Sequence, residues 1–129
     1  MLESLVSASD KGADCEVFTF DVARIQRARA ALWAEPEIVA VTDLLKLAGG
    51  PARLRVLLAL AVDELCVCDL AQVLGLSVSA TSNQLQALRR AGLIGFRKSG
   101  KLAFYSLRRH ELLDLVSQAR AIAALGERG

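Results

Sequence analysis

Glu64-Leu65-Cys66-Val67-Cys68-Asp69-Leu70-Ala71-Gln72-Val73-Leu74-Gly75, then Leu76-Ser77, then Val78-Ser79-Ala80-Thr81-Ser82-Asn83-Gln84-Leu85-Gln86-Ala87-Leu88-Arg89-Arg90-Ala91-Gly92, is the stretch that decides the fold. The first piece is a short helix stopped by glycine, the residue that most easily takes the left-handed conformation closing a helix. Leu76-Ser77 makes the turn. From Val78 to Ala91 a second helix follows, with Leu85 and Leu88 buried and Ser79, Thr81, Ser82, Asn83, Gln84, Arg89 and Arg90 polar. Two helices joined by a tight glycine-containing turn, the second rich in short hydrogen-bonding side chains near its start, form a helix-turn-helix. The recognition helix is then Val78 to Ala91.

Downstream the period changes. Leu93-Ile94-Gly95-Phe96-Arg97-Lys98 and Leu102-Ala103-Phe104-Tyr105-Ser106-Leu107 flank Ser99-Gly100-Lys101, a pattern of two strands around a turn. A hairpin directly after a recognition helix is a wing. The last helix, Glu111 to Leu125, carries Leu112, Leu113, Leu115, Val116, Ala119, Ile122 and Ala123, more apolar surface than covering one small core requires. It is expected to form a dimer interface.

Upstream, a helix is expected from Val22 to Trp33, capped by Asp21, and a second from about Ile38 to Ala48, with Pro36 separating them. Gly49-Gly50-Pro51 introduces a third, which runs through Leu54, Leu57, Leu58 and Ala61. Residues 1–20 lack a convincing period and are read as an N-terminal arm, leaving 21–125 as one winged helix-turn-helix domain. The fold class is mainly α with a β-hairpin wing. Trp33 and Phe104 are expected in the core or an interface, and His110 at the surface.

With 129 residues, 53% of them hydrophobic, the chain suits a single core. No segment approaches the roughly 20 uninterrupted apolar residues of a membrane span, so no membrane partner and a cytoplasmic location are expected. Three cysteines in a reducing compartment are thiols or metal ligands rather than a disulfide framework. The net charge of +2 hides an asymmetry. Glu3, Asp10, Asp14, Glu16 and Asp21 precede the first helix against Lys11 alone. Arg89, Arg90, Arg97, Lys98, Lys101, Arg108 and Arg109 then fall in a stretch free of acids. Such a basic surface attracts a phosphate backbone, although a solvated face has the same composition. The sequence has no P-loop, dinucleotide-binding fingerprint, nucleophile elbow or H-E-x-x-H pair, so an enzyme is not expected.

The order of helices, the Cys66-Val67-Cys68-Asp69-Leu70 segment, the Ser77-x-Ser79-x-x-Ser82-x-x-Leu85 run, Ala91-Gly92-Leu93-Ile94 and the wing ending in Tyr105-Ser106-Leu107 together carry a resemblance. Over roughly residues 14 to 120 the chain resembles the ArsR/SmtB family of metal-responsive repressors, and within it the cadmium- and lead-sensing CadC type. The resemblance implies a homodimer that binds operator DNA and releases it when metal is captured at the helix carrying the cysteine pair, with the N-terminal arm reaching the other subunit. It places ligands at Cys15, Cys66 and Cys68, and Thr19 where a second arm cysteine would stand. A second family site on the last helix would fall on Arg109, Glu111, Ile122 and Leu125, which cannot assemble it.

Positions i and i+2 of a helix lie about 200° apart, so Cys66 and Cys68 can share an ion only near a helix end, where Cys66 leaves regular geometry. Three thiolates favour soft ions, Cd(II) or Pb(II), with Hg(II) or Zn(II) as further candidates. A fourth ligand could be water, Asp14, Glu16 or Asp69. The alternative is that Cys66 and Cys68 are small buried residues and Cys15 an incidental thiol. For DNA the expected contacts are Ser79, Thr81, Ser82, Asn83 and Gln84, with Gln84 pairing bidentately with adenine, and Arg89, Arg97, Lys98 and Lys101 on phosphate or in the minor groove. Two other readings stay open: a repressor whose thiols sense arsenite or oxidants, and an interaction module that binds acidic protein or RNA without DNA.

Overall fold

The computed structural model describes residues 20–128. They divide into two compact units, one ending at Ile38 and one beginning at Val39. The first holds α1 (Val22–Ala30). Asp21 caps it as expected, its Oδ1 accepting from the Arg24 backbone N–H at 3.1 Å. The helix stops at Ala30, short of Trp33, which is 61% exposed and belongs to no core. The next helix, α2 (Glu35–Ala48), starts earlier than the sequence suggested. Pro36 lies in its first turn, where the missing N–H costs no helical bond, so the proline begins the helix rather than separating two.

In the second unit α2 leads into α3 (Pro51–Leu60), with Pro51 at its start and Gly50 as N-cap. After α3 comes an element the sequence did not announce: β1 (Leu65–Cys66), two residues long. Then α4 (Val67–Leu74) ends at Gly75, whose φ of 69° is the left-handed conformation that releases the chain into the turn. Ser77 opens α5 (Val78–Arg90): its hydroxyl accepts from the Ala80 N–H at 3.0 Å, replacing one of the bonds every helix start lacks. The hairpin of β2 (Ile94–Ser99) and β3 (Leu102–Leu107) follows, and α6 (Glu111–Arg128) closes the chain.

The sheet has three antiparallel strands in the order β1-β3-β2. β2 pairs with β3 from Ile94↔Leu107 to Ser99↔Leu102, turning at Gly100 with a φ of 64°. β1 pairs Leu65 with Tyr105 and Cys66 with Phe104. One core lies under these elements, formed by Val56, Leu57 and Leu60 of α3, Leu70 of α4, Leu85 and Leu88 of α5, and Ile94 and Leu107 of the sheet. Each fully buried leucine contributes about 1.5–3 kcal/mol of transfer free energy, so these contacts fix α4 and α5 against α3.

Candidate nucleic-acid interface and thiol pair

α5 stands as a recognition helix because its inner face is locked. Leu85 and Leu88 are buried, and so is Thr81, which is 0% exposed and donates its hydroxyl to the Ser77 carbonyl at 2.8 Å. The expectation of a DNA contact at Thr81 is therefore corrected: its polar atom is satisfied within the helix and faces the core. Ser79 and Asn83 are exposed and Ser82 is half-buried, so the outer face of the first turns carries these three.

Gln84 is half-buried and already has a partner. Its Oε1 accepts from Arg53 Nε at 3.0 Å, while Arg53 Nη1 donates to the Leu47 carbonyl at 3.2 Å. Bidentate pairing with adenine needs the amide oxygen and nitrogen together, so the expected contact requires the bond from Arg53 to open. Arg53 instead ties the end of α2 and the start of α3 to the recognition helix. Nothing in the residues around either partner announces this contact, which spans 31 positions.

The basic residues at the end of α5 and in the hairpin divide into two groups. Lys98 and Lys101 are exposed near the hairpin tip, and among the described residues neither has a carboxylate partner. Arg89 lies over the Phe96 ring, 4.2 Å from its centroid, a cation–π contact that holds it against β2. Arg97 is held more firmly. Its Nε and Nη2 donate to Glu64 at 2.9 and 2.8 Å, and its guanidinium lies 5.2 Å from the centroid of Phe104. Hydrogen bonding from Arg97 lowers the Glu64 carboxyl below its ordinary value; slight desolvation opposes this and the arginine's charge adds to it. Arg97, expected on phosphate or in the minor groove, is thus engaged by a two-point charge-assisted pair in the DNA-free chain. Glu64 was not singled out in the sequence, and only its place beside Cys66 hinted at a role.

Cys66 and Cys68 are both free thiols. Cys66 is the N-cap of α4, with φ −81° and ψ 169°, so it lies outside helical geometry as a shared ion requires. It is 7% exposed, whereas Cys68 in the first turn is exposed. No group of three or more His, Cys, Asp or Glu side chains gathers among the described residues. The donors here are thus two soft thiols, which suit a thiophilic ion but leave its shell open. Cys15, the third expected ligand, lies outside the described residues, as do Asp14 and Glu16.

A helix-turn-helix with its polar face outward, a cationic hairpin beside it and a thiol pair at the head of the preceding helix define a winged helix-turn-helix DNA-binding protein. The comparisons with known proteins agree. Residues 50–95 match the family described as "Bacterial regulatory protein, arsR family". A "Cadmium resistance transcriptional regulatory protein CadC" of Listeria innocua is 33% identical over 103 residues, 79% of this chain and 86% of that protein. The crystal structure of Mycobacterium tuberculosis Rv0081 superposes with a TM-score of 0.66 at 33% identity, covering 74% of this chain and 98% of that one. The homodimeric winged helix-turn-helix domain Mb0332 of Mycobacterium bovis shares the fold, with a TM-score of 0.59 at 24% identity over 73% of this chain and 90% of that one. The chain belongs to the ArsR/SmtB family, the metal- or thiol-responsive winged helix-turn-helix repressors that bind DNA, and it is not an enzyme. No helix among the described residues is long and apolar enough to cross a membrane.

Proposed function

We propose that this chain is a dimeric repressor that holds operator DNA in its metal-free form and releases it when Cys66 and Cys68, with Cys15, capture a soft divalent ion, Cd(II) or Pb(II). The observation that carries the reading is the placement of Cys66 at the N-cap of α4, beside a second thiol and directly before the helix-turn-helix. The likeness to a cadmium resistance regulator supports the same ion class. Zn(II) and Hg(II) have the thiolate affinity to compete. The N-terminal arm of one protomer is proposed to reach the thiol pair of the other, supplying Cys15.

Dimerisation is supported by α6. Leu115, Ile122 and Leu125, exposed by 40%, 68% and 64%, follow one another at helical spacing along one face. Two recognition helices about 34 Å apart would then enter successive major grooves. Ser79, Ser82 and Asn83 would face the bases, with Lys98 and Lys101 on phosphate.

The test is operator binding followed by fluorescence anisotropy, using a duplex selected from a random pool with metal-free protein. Adding Cd(II) or Pb(II) should weaken binding by about 5- to 150-fold. Unchanged affinity, with metal shown to be bound by thiolate absorbance, would sink the reading. Lys98→Ala and Lys101→Ala should weaken selected and random duplexes alike, and each should flatten the salt dependence by about 0.9 in log–log slope. Loss confined to the selected duplex would instead place these lysines on bases.

A further inference from the structure

Thiol pair and wing are joined through the sheet. Cys66 in β1 pairs with Phe104 in β3, and Phe104 pairs with Arg97 in β2, so the three residues form one row across the strands. Above that row the guanidinium of Arg97 lies over the Phe104 ring and reaches Glu64, two residues before Cys66, with two hydrogen bonds. The contacts thus close a ring: Glu64 to Arg97, Arg97 to Phe104, Phe104 to Cys66, and back along the chain to Glu64.

A solvent-facing ion pair adds little to stability, so what this one offers is geometry. Cys66 is buried while Cys68 is exposed, so an ion held by both must draw the Cys66 thiol toward the solvent side. β1 is only two residues long; its pairing with β3 and the packing of Leu65 against the core are what that pull works against. Any shift of β1 carries Glu64 with it. Arg97, gripped at two points, must follow, and Lys98 is the next residue along β2.

We propose that Glu64 is a positioning residue that carries ligand capture at Cys66 and Cys68 to the wing through its two-point hold on Arg97. This rests on the metal-release reading above. Glu64 touches neither DNA nor the ion in this scheme; it sets where the wing stands.

Glu64→Gln keeps the side chain's shape and removes its charge. Its affinity for the selected duplex without metal and its thiolate absorbance with Cd(II) should stay within about twofold of the parent, while the metal-induced loss of DNA affinity should fall from about 5- to 150-fold to below about threefold. A parent-sized loss in Glu64→Gln would overturn the proposal and leave the metal-release reading intact. A second measurement needs no DNA: the Arg97 Nε–H resonance of the parent protein, followed by NMR during titration with Cd(II). It should shift in step with thiolate absorbance in the parent and stay fixed in Glu64→Gln. If the parent binds Cd(II) and keeps its DNA, the metal-release reading fails, and the Arg97 resonance still decides the connection: a shift supports it, and a fixed resonance while Cd(II) binds overturns it.

Discussion

Replacing Cys66 and Cys68 with serine together is expected to leave operator affinity within about twofold and to abolish its loss on adding Cd(II) or Pb(II), an effect of about 5- to 150-fold. The thiols lie at the head of α4, and the outward residues Ser79, Ser82 and Asn83 lie on α5, so the substitutions touch no proposed DNA contact. The single variants should differ in one respect. Cys68 is exposed and tolerates serine, whereas a hydroxyl at buried Cys66 costs about 1–3 kcal/mol of stability unless it finds a partner. Cys68→Ser is therefore the cleaner test. Linkage adds a check: DNA must weaken metal binding by the same factor by which metal weakens DNA binding. Anisotropy with and without metal, beside thiolate absorbance, measures both sides. Metal-induced release persisting in the double variant would move the regulatory site elsewhere.

Leu88→Ala should lower unfolding stability by about 2–5 kcal/mol, because it removes a side chain that is fully buried where α5 meets the core and leaves a cavity the backbone cannot close. That is a large share of the roughly 5–15 kcal/mol a domain possesses. Urea unfolding at fixed protein concentration reads it as a lower midpoint with unchanged slope. Val62→Ala serves as the control: Val62 is 85% exposed, and its loss should stay within about 0.5 kcal/mol. Equal effects at the two positions would mean that α5 is not held by this core.

Several features were legible in the residues because they depend on local chemistry. Gly75 and Ser77 mark the turn, since one supplies the left-handed conformation and the other a capping hydroxyl. Asp21 capped its helix, Leu85 and Leu88 turned inward, and Gly100 fell in the hairpin turn. Helix ends were less legible: Pro36 separates helices or opens one with equal chemical sense, and the chain's path settled it in favour of opening α2.

What the sequence by itself determined is the class: the alternation of helical and strand periods, the glycine and serine between α4 and α5, and the thiol pair at a helix head each follow from interactions within a few residues. Tertiary structure decided which polar side chains are available. Thr81 reads like Ser79 in sequence, yet one faces the core and the other solvent. Gln84 and Arg97 read as free contacts until Arg53 and Glu64 arrive from 31 and 33 positions away. β1 is likewise invisible locally, because two residues carry no period and become a strand only when β3 supplies their hydrogen-bond partners. A partner brought by folding from far along the chain leaves no mark on the residues beside it, and only the packed molecule shows that Cys66 and Arg97 stand in one row.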